Sequence, residues 1–127
     1  MRGRDARHTG VREAASSGGQ LINLATRAPA GGGANLIAGF FVTGTAPKNF
    51  LLRGVGPSLE QFFVNSPLAN PRLQVYSGSA VIAQNDNWDG DGDGAKVKQA
   101  SAEVGAFALP AGSKDSALVT ALAPGLY

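Results

Sequence analysis

The chain is predicted to fold as an all-β domain, a β-sandwich or jelly-roll-like module with one or two short helices. Three observations carry that expectation. The composition pairs 18 Gly residues and 43% apolar residues with only 16% charged residues, which suits short strands and tight turns better than a helical bundle. Short apolar or alternating runs are separated throughout by Gly and Pro. One hairpin is explicit: Leu73-Gln74-Val75-Tyr76 alternates, Ser77-Gly78-Ser79 turns, and Ala80-Val81-Ile82-Ala83 returns. A length of 127 residues is enough for one domain with a real core.

Each element follows in order. Residues 1–19 are rich in Arg, Gly, Ser and Ala without apolar period, and are expected to be a disordered basic leader. The module is expected to span residues 20–127. Its first strand falls at 20–26, and a Pro/Gly loop at 28–33 follows. Residues 35–43 form an almost wholly apolar run, which predicts a strand covered on both faces. After a turn at 44–47, residues 49–55 predict a third strand. Ser58 and Gln61 have the spacing of a capping box, so a short helical turn is expected over 59–64. Pro67 and Pro71 end it, and the hairpin follows. Residues 96–104 predict a short helix with Val97, Ala100 and Val104 on one face. Residues 107–110 are extended, and 117–122 predict a strand. Ala123-Pro124-Gly125 turns the chain, and Leu126-Tyr127 is expected to begin a strand beside 117–122. That strand looks incomplete, so the chain is expected to lack its last strand or strands and to leave Phe40, Phe41, Leu118 and Leu122 partly uncovered.

Charge and residue types exclude several functions. The net charge of +2 lies wholly in residues 1–13, and the remainder is balanced. A neutral body argues against a specific nucleic-acid surface. No apolar run is long enough to predict a membrane span. The basic N-terminus has no apolar stretch of signal-peptide type. Cys is absent, so disulfides and thiolate metal sites are excluded. The only His is His8, in the predicted leader, so Ser58, Ser77 and Ser79 have no imidazole base. Outside the leader and one Asp cluster the only acids are Glu60, Glu103 and Asp115, too few to suggest a carboxylate pair. The chain is not expected to be an enzyme.

The segment richest in chemistry is Asn85-Asp86-Asn87-Trp88-Asp89-Gly90-Asp91-Gly92-Asp93-Gly94. Asp89, Asp91 and Asp93 alternate with Gly as in the first half of an EF-hand loop. The twelfth position, where that loop needs a bidentate Glu, is Ala100. Two readings stand. Asp86, Asp89, Asp91 and Asp93 form a Ca²⁺ site, which would relieve their mutual repulsion; or Asp and Gly simply supply turn conformations. Trp88 likewise has two readings, a carbohydrate-stacking platform or a packed edge residue with its N–H bonded to a carbonyl. Gly54-Val55-Gly56-Pro57-Ser58-Leu59 faintly resembles a dinucleotide fingerprint, but the third Gly is absent and Pro57 interrupts it, so a tight turn from strand to helix is expected. Arg27 and Arg53 have two readings, pairing with acids or an anion, or solvated surface, and solvated surface is the default expectation.

Several phrases taken in order resemble a β-sandwich module of large secreted bacterial proteins. They are Leu21-Ile22-Asn23-Leu24-Ala25-Thr26-Arg27, Leu36-Ile37-Ala38-Gly39-Phe40, Leu51-Leu52-Arg53-Gly54-Val55-Gly56-Pro57-Ser58-Leu59, Asn85-Asp86-Asn87-Trp88, Gly105-Ala106-Phe107 and Leu122-Ala123-Pro124-Gly125-Leu126-Tyr127. From Leu73 onward the chain is loosely similar to the bacterial pre-peptidase C-terminal domain, through Leu73-Gln74-Val75-Tyr76, Asp86 and Ala123-Pro124-Gly125-Leu126-Tyr127. The resemblance implies a non-catalytic accessory module, secreted or at the cell surface, structural or adhesive in role. Its implied partners are neighbouring domains of a parent protein and a cell-surface or polysaccharide ligand. The alternative is a carbohydrate-binding module attached to a secreted hydrolase, with Trp88 and Tyr76 as its platform. The Asp/Gly expansion and the Arg-rich leader depart from the family pattern.

Overall fold

Antiparallel strand pairs dominate the chain. A computed structural model describes residues 10–14, 20–25, 33, 35–90 and 92–127, the first two segments by backbone alone. The strands are β1 Gly10–Ala14, β2 Gln20–Ala25, β3 Phe41–Val42, β4 Lys48–Gly54, β5 Leu73–Ser77, β6 Ala80–Asn85, β7 Ser116–Leu122 and β8 Gly125–Leu126. A 3-10 helix covers Pro57–Phe62, and α1 covers Gly94–Glu103. Among the described residues these form four two-stranded antiparallel sheets, β1-β2, β3-β8, β4-β7 and β5-β6. The chain divides into two units, residues 1–38 and 39–127. Strand β1 falls within the predicted leader and pairs with β2. The rest of 1–19 lies outside the described residues.

The second unit is organised around β4 and β7. Their ladder runs without interruption from Lys48↔Leu122 to Gly54↔Ser116. Residues 116–118 of β7 are buried in succession, so that part of the strand is covered on both faces. The hairpin of β5 and β6 turns at Gly78-Ser79, with Gly78 at φ 62, and its register shifts beyond Val75. Helix α1 buries Val97 and Ser101, four residues apart and therefore on one face. Val104, predicted to share that face, is half exposed. Gly105 at φ 72 ends the helix in the left-handed conformation, and Ala106 N–H reaches back to the Ser101 carbonyl at 2.8 Å. The core gathers Trp88, Val97, Leu109 and Ala117, with Leu51, Val55, Phe107 and Val119 at its margin.

Three expectations are corrected. Only Phe41–Val42 of the apolar run 35–43 is strand, and Leu36 and Ile37 are exposed. Apolarity alone makes no ladder; a strand needs a partner edge, and only residues 40–42 have one. That partner is the end of the chain: Phe41 pairs with Leu126, and Phe40 and Tyr127 exchange N–H···O bonds of 3.0 and 2.9 Å. Leu126 therefore does not add to β7. Leu118 and Leu122 are buried rather than uncovered, while Phe41 is exposed. The capping box also fails. Gln61 Nε2 donates to the Ser58 carbonyl at 3.0 Å, and the Ser58 hydroxyl is engaged elsewhere.

Among the described residues, no helix is long and apolar enough to cross a membrane.

Candidate functional site

Two loops hold the polar chemistry. The first leaves β6 and enters α1. Buried Asn85 closes the end of the strand: its Nδ2 donates to the Asn87 carbonyl at 3.1 Å, and its Oδ1 accepts from Ala117 N–H at 2.9 Å. This ties β6 to β7 through a side chain. Trp88 is only 5% exposed. Its Nε1 donates to the Pro110 carbonyl at 3.0 Å, and its backbone N–H donates to the Asp115 carbonyl at 2.9 Å. Both polar handles are therefore satisfied inside the fold, and the ring fills the core.

The four predicted ligands are placed as follows. Asp86 is half-buried and shares a shallow depression of about 130 Å³ with Arg72, Gln84 and Asn85. Asp89 Oδ2 accepts the Gly112 N–H at 2.7 Å, a charge-assisted bond to the turn at 110–113. Asp93 lies 3.4 Å from Lys96 Nζ, an exposed pair one turn into α1. Asp91 lies outside the described residues. Among the described residues no three His, Cys, Asp or Glu side chains gather in a way that could hold a metal ion. Asp86, Asp89 and Asp93 thus have three different surroundings.

The second loop was missed at the sequence level. Asp115 is fully buried. Its Oδ1 accepts from Gly56 N–H at 2.8 Å and Ser58 N–H at 3.2 Å. Its Oδ2 accepts from the Ser113 hydroxyl at 2.6 Å and from the Ser58 hydroxyl. Burial pushes the Asp115 carboxyl up. The hydroxyls of Ser113 and Ser58 and the amides of Gly56 and Ser58 pull it down, and it ends below the usual carboxylate range. Only Gly fits at position 56 of this turn, because a Cβ there would clash with the Leu68 carbonyl oxygen. The loop that resembles a dinucleotide fingerprint is therefore an anion cradle, and its anion is the chain's own carboxylate.

Arg53 belongs to the same region. Its guanidinium lies 4.3 Å over the Phe107 ring. Nε and Nη2 are buried with no hydrogen-bond partner. Burial lowers its pKa, and the charge of Asp115 raises it in part. The predicted solvated Arg53 is instead a half-buried cation stacked on an aromatic ring. Arg27 lies outside the described residues. Local sequence gives little signal for this region, because Asp115 stands beside Ser116 at the mouth of an apolar strand while its amide partners lie in the Gly-rich turn far earlier in the chain.

Comparison with protein-family profiles, curated proteins and solved structures finds no match to the chain.

Proposed function

We propose that the chain is a non-catalytic accessory module of a larger secreted bacterial protein, structural or adhesive in role, with its strand pairs layered as a β-sandwich similar to the pre-peptidase C-terminal domain. The observation that carries this reading is the destination of the polar groups. Asp115, Ser58, Ser113, Asn85 and Asp89 bond to other groups of the fold, chiefly backbone amides and hydroxyls, and brace loops against strands. A reactive centre needs such groups aimed at a space where substrate fits. Burial of Trp88 favours this reading over the carbohydrate platform, which keeps only Tyr76 as an exposed aromatic of the original pair. Ca²⁺ bound by Asp86, Asp89, Asp91 and Asp93 belongs to the proposal as a stabiliser of the loop, not as a reacting centre.

The test has two arms. The purified chain is assayed against peptide, ester and glycoside substrates, and no turnover is expected; turnover abolished by Asp115→Asn would sink the non-catalytic reading. It is also passed over immobilised insoluble polysaccharides. Retention abolished by Tyr76→Ala would establish the carbohydrate-binding alternative instead.

A further inference from the structure

Phe63 is 93% exposed, although it follows directly on a helix that packs on the fold. It forms the C-terminal cap of the 3-10 helix at φ 60 and ψ 29, the left-handed region where Gly is the ordinary occupant. Its neighbour Phe62 has a reason within the chain, since its ring meets Phe107 edge-on at 4.9 Å. Phe63 has none. It strains the backbone and gains no burial in return. Strain held at an exposed aromatic points outward, to something the ring is there to meet.

The same unit carries a hole of matching size. Between α1 and the extended segment 106–109 lies a pocket of about 190 Å³ lined by Trp88, Val97, Ala102, Ala106, Ala108 and Leu109. An apolar cavity of about 150 Å³ is enough to take a benzene ring. Lys98 stands at this pocket and is exposed. On the knob, Glu60 is exposed one turn before Phe63, whose N–H bonds to the Glu60 carbonyl at 3.0 Å. Residues 59–66 contain no Lys or Arg, which argues against insertion into an anionic lipid surface.

We propose that Phe63 of one chain inserts into the Trp88 pocket of a second copy, with Glu60 of the first chain facing Lys98 of the second. Knob and hole are different surfaces, and the contact proposed is heterologous, one knob in one hole. The pair as a whole keeps one free hole, on the first chain, and one free knob, on the second, and association propagates head to tail. The proposal goes beyond the accessory-module reading and stands on its own observations.

Trp88 is the only Trp in the chain and lines the hole, so it reports occupancy directly. Sedimentation velocity and Trp88 emission are followed on the full chain from about 1 μM to about 1 mM. Average mass and emission are expected to change together as concentration rises. Phe63→Gly suits the left-handed backbone, so its melting temperature should hold or rise while association weakens at least about tenfold. Ala102→Phe, on the exposed side of α1, fills the hole and should weaken association as much. Mixing the two variants pairs the intact hole of one with the intact knob of the other and should yield a 1:1 dimer and nothing larger. Glu60→Lys and Lys98→Glu should each weaken association, and the doubly swapped chain should recover it. A wild-type chain that stays monomeric across the range overturns the proposal. So does a Phe63→Gly variant that associates like wild type, or a mixture that pairs no better than its components.

Discussion

Around residues 89–93 the described carboxylates hold one partner each, and the side chain of Asp93 faces water. Asp115, further along the chain, is enclosed, and its carboxylate takes four hydrogen bonds. The two regions are joined where Trp88 N–H donates to the Asp115 carbonyl and where Asp89 accepts from Gly112 N–H. The contrast teaches that carboxylate density is a poor guide to carboxylate importance. Acids in a row repel one another and stay solvated, so each contributes little. A lone acid surrounded by amides and hydroxyls organises everything around it, because the Gly56 and Ser58 donors are buried and need an acceptor. The Gly56 turn, the 3-10 helix and the start of β7 all meet at Asp115.

The strongest way to break this contrast is to remove the buried acid. Asp115→Ala leaves the Gly56 and Ser58 amides without their acceptor and the Arg53 charge without its counter-ion. It is expected to cost about 3 kcal/mol or more in denaturant unfolding, since stripping one partner from a buried charged network leaves the other groups uncompensated. A loss below about 1 kcal/mol would place Asp115 among the ordinary surface acids, and the contrast would vanish.

Acid titration probes the same carboxylate without mutation. The folded-state pKa of Asp115 lies below its ordinary value. The unfolded chain therefore binds the proton more readily, and stability rises with pH through this range. The contribution is complete above the unfolded value of about 4 and is lost as pH falls through the lower folded value. Melting temperature should drop steeply below about pH 4 in the wild type and less steeply in Asp115→Asn. Parallel curves for the two proteins would mean that other carboxylates govern acid unfolding.

How much of this was legible depends on the range of the interactions. The strands at 48–54, 73–77, 80–85 and 116–122 were readable, because short apolar or alternating runs bounded by Gly, Pro and Ser specify them locally. The helix from Gly94 was readable for the same reason. Residues 35–40 misled, since an apolar run announces burial while pairing depends on a distant edge at 125–127. Leu126 is nearest to β7 in sequence, yet it pairs with Phe41 of β3. Asp115 was invisible for a similar cause. Its partners Gly56 and Ser58 lie 59 and 57 residues away, and a window around Lys114-Asp115-Ser116 looks like a solvated turn. The Asp/Gly loop was found by its spacing, but spacing alone did not foretell that Asp89 would reach Gly112.

Asp89 lies between the two extremes and sharpens the scale. Its single charge-assisted bond to Gly112 N–H fastens the first loop to the turn before Asp115. Asp89→Asn in calcium-free buffer is expected to cost about 1 kcal/mol, the net worth of one such bond. If the loss appears only when Ca²⁺ is present, Asp89 serves as a metal ligand and its bond to Gly112 is incidental.

The smallest effect is expected at Asp93. Its contact with Lys96 is exposed on both sides, so Coulomb attraction is weak and salt screens it. Asp93→Asn should change stability by no more than about 0.5 kcal/mol in calcium-free buffer. Calcium turns this near-silent position into a sensitive one. A site of the extracellular type binds at roughly 10⁻⁴–10⁻³ M, so about 10 mM Ca²⁺ should raise the wild-type melting temperature measurably. If Asp93 is a ligand, Asp93→Asn should lose that rise while leaving the calcium-free melting temperature untouched. If the wild-type melting temperature does not move with calcium, the loop is a turn and its acids are solvated. The contrast with Asp115 then becomes complete, with one carboxylate holding the fold and the exposed ones holding little.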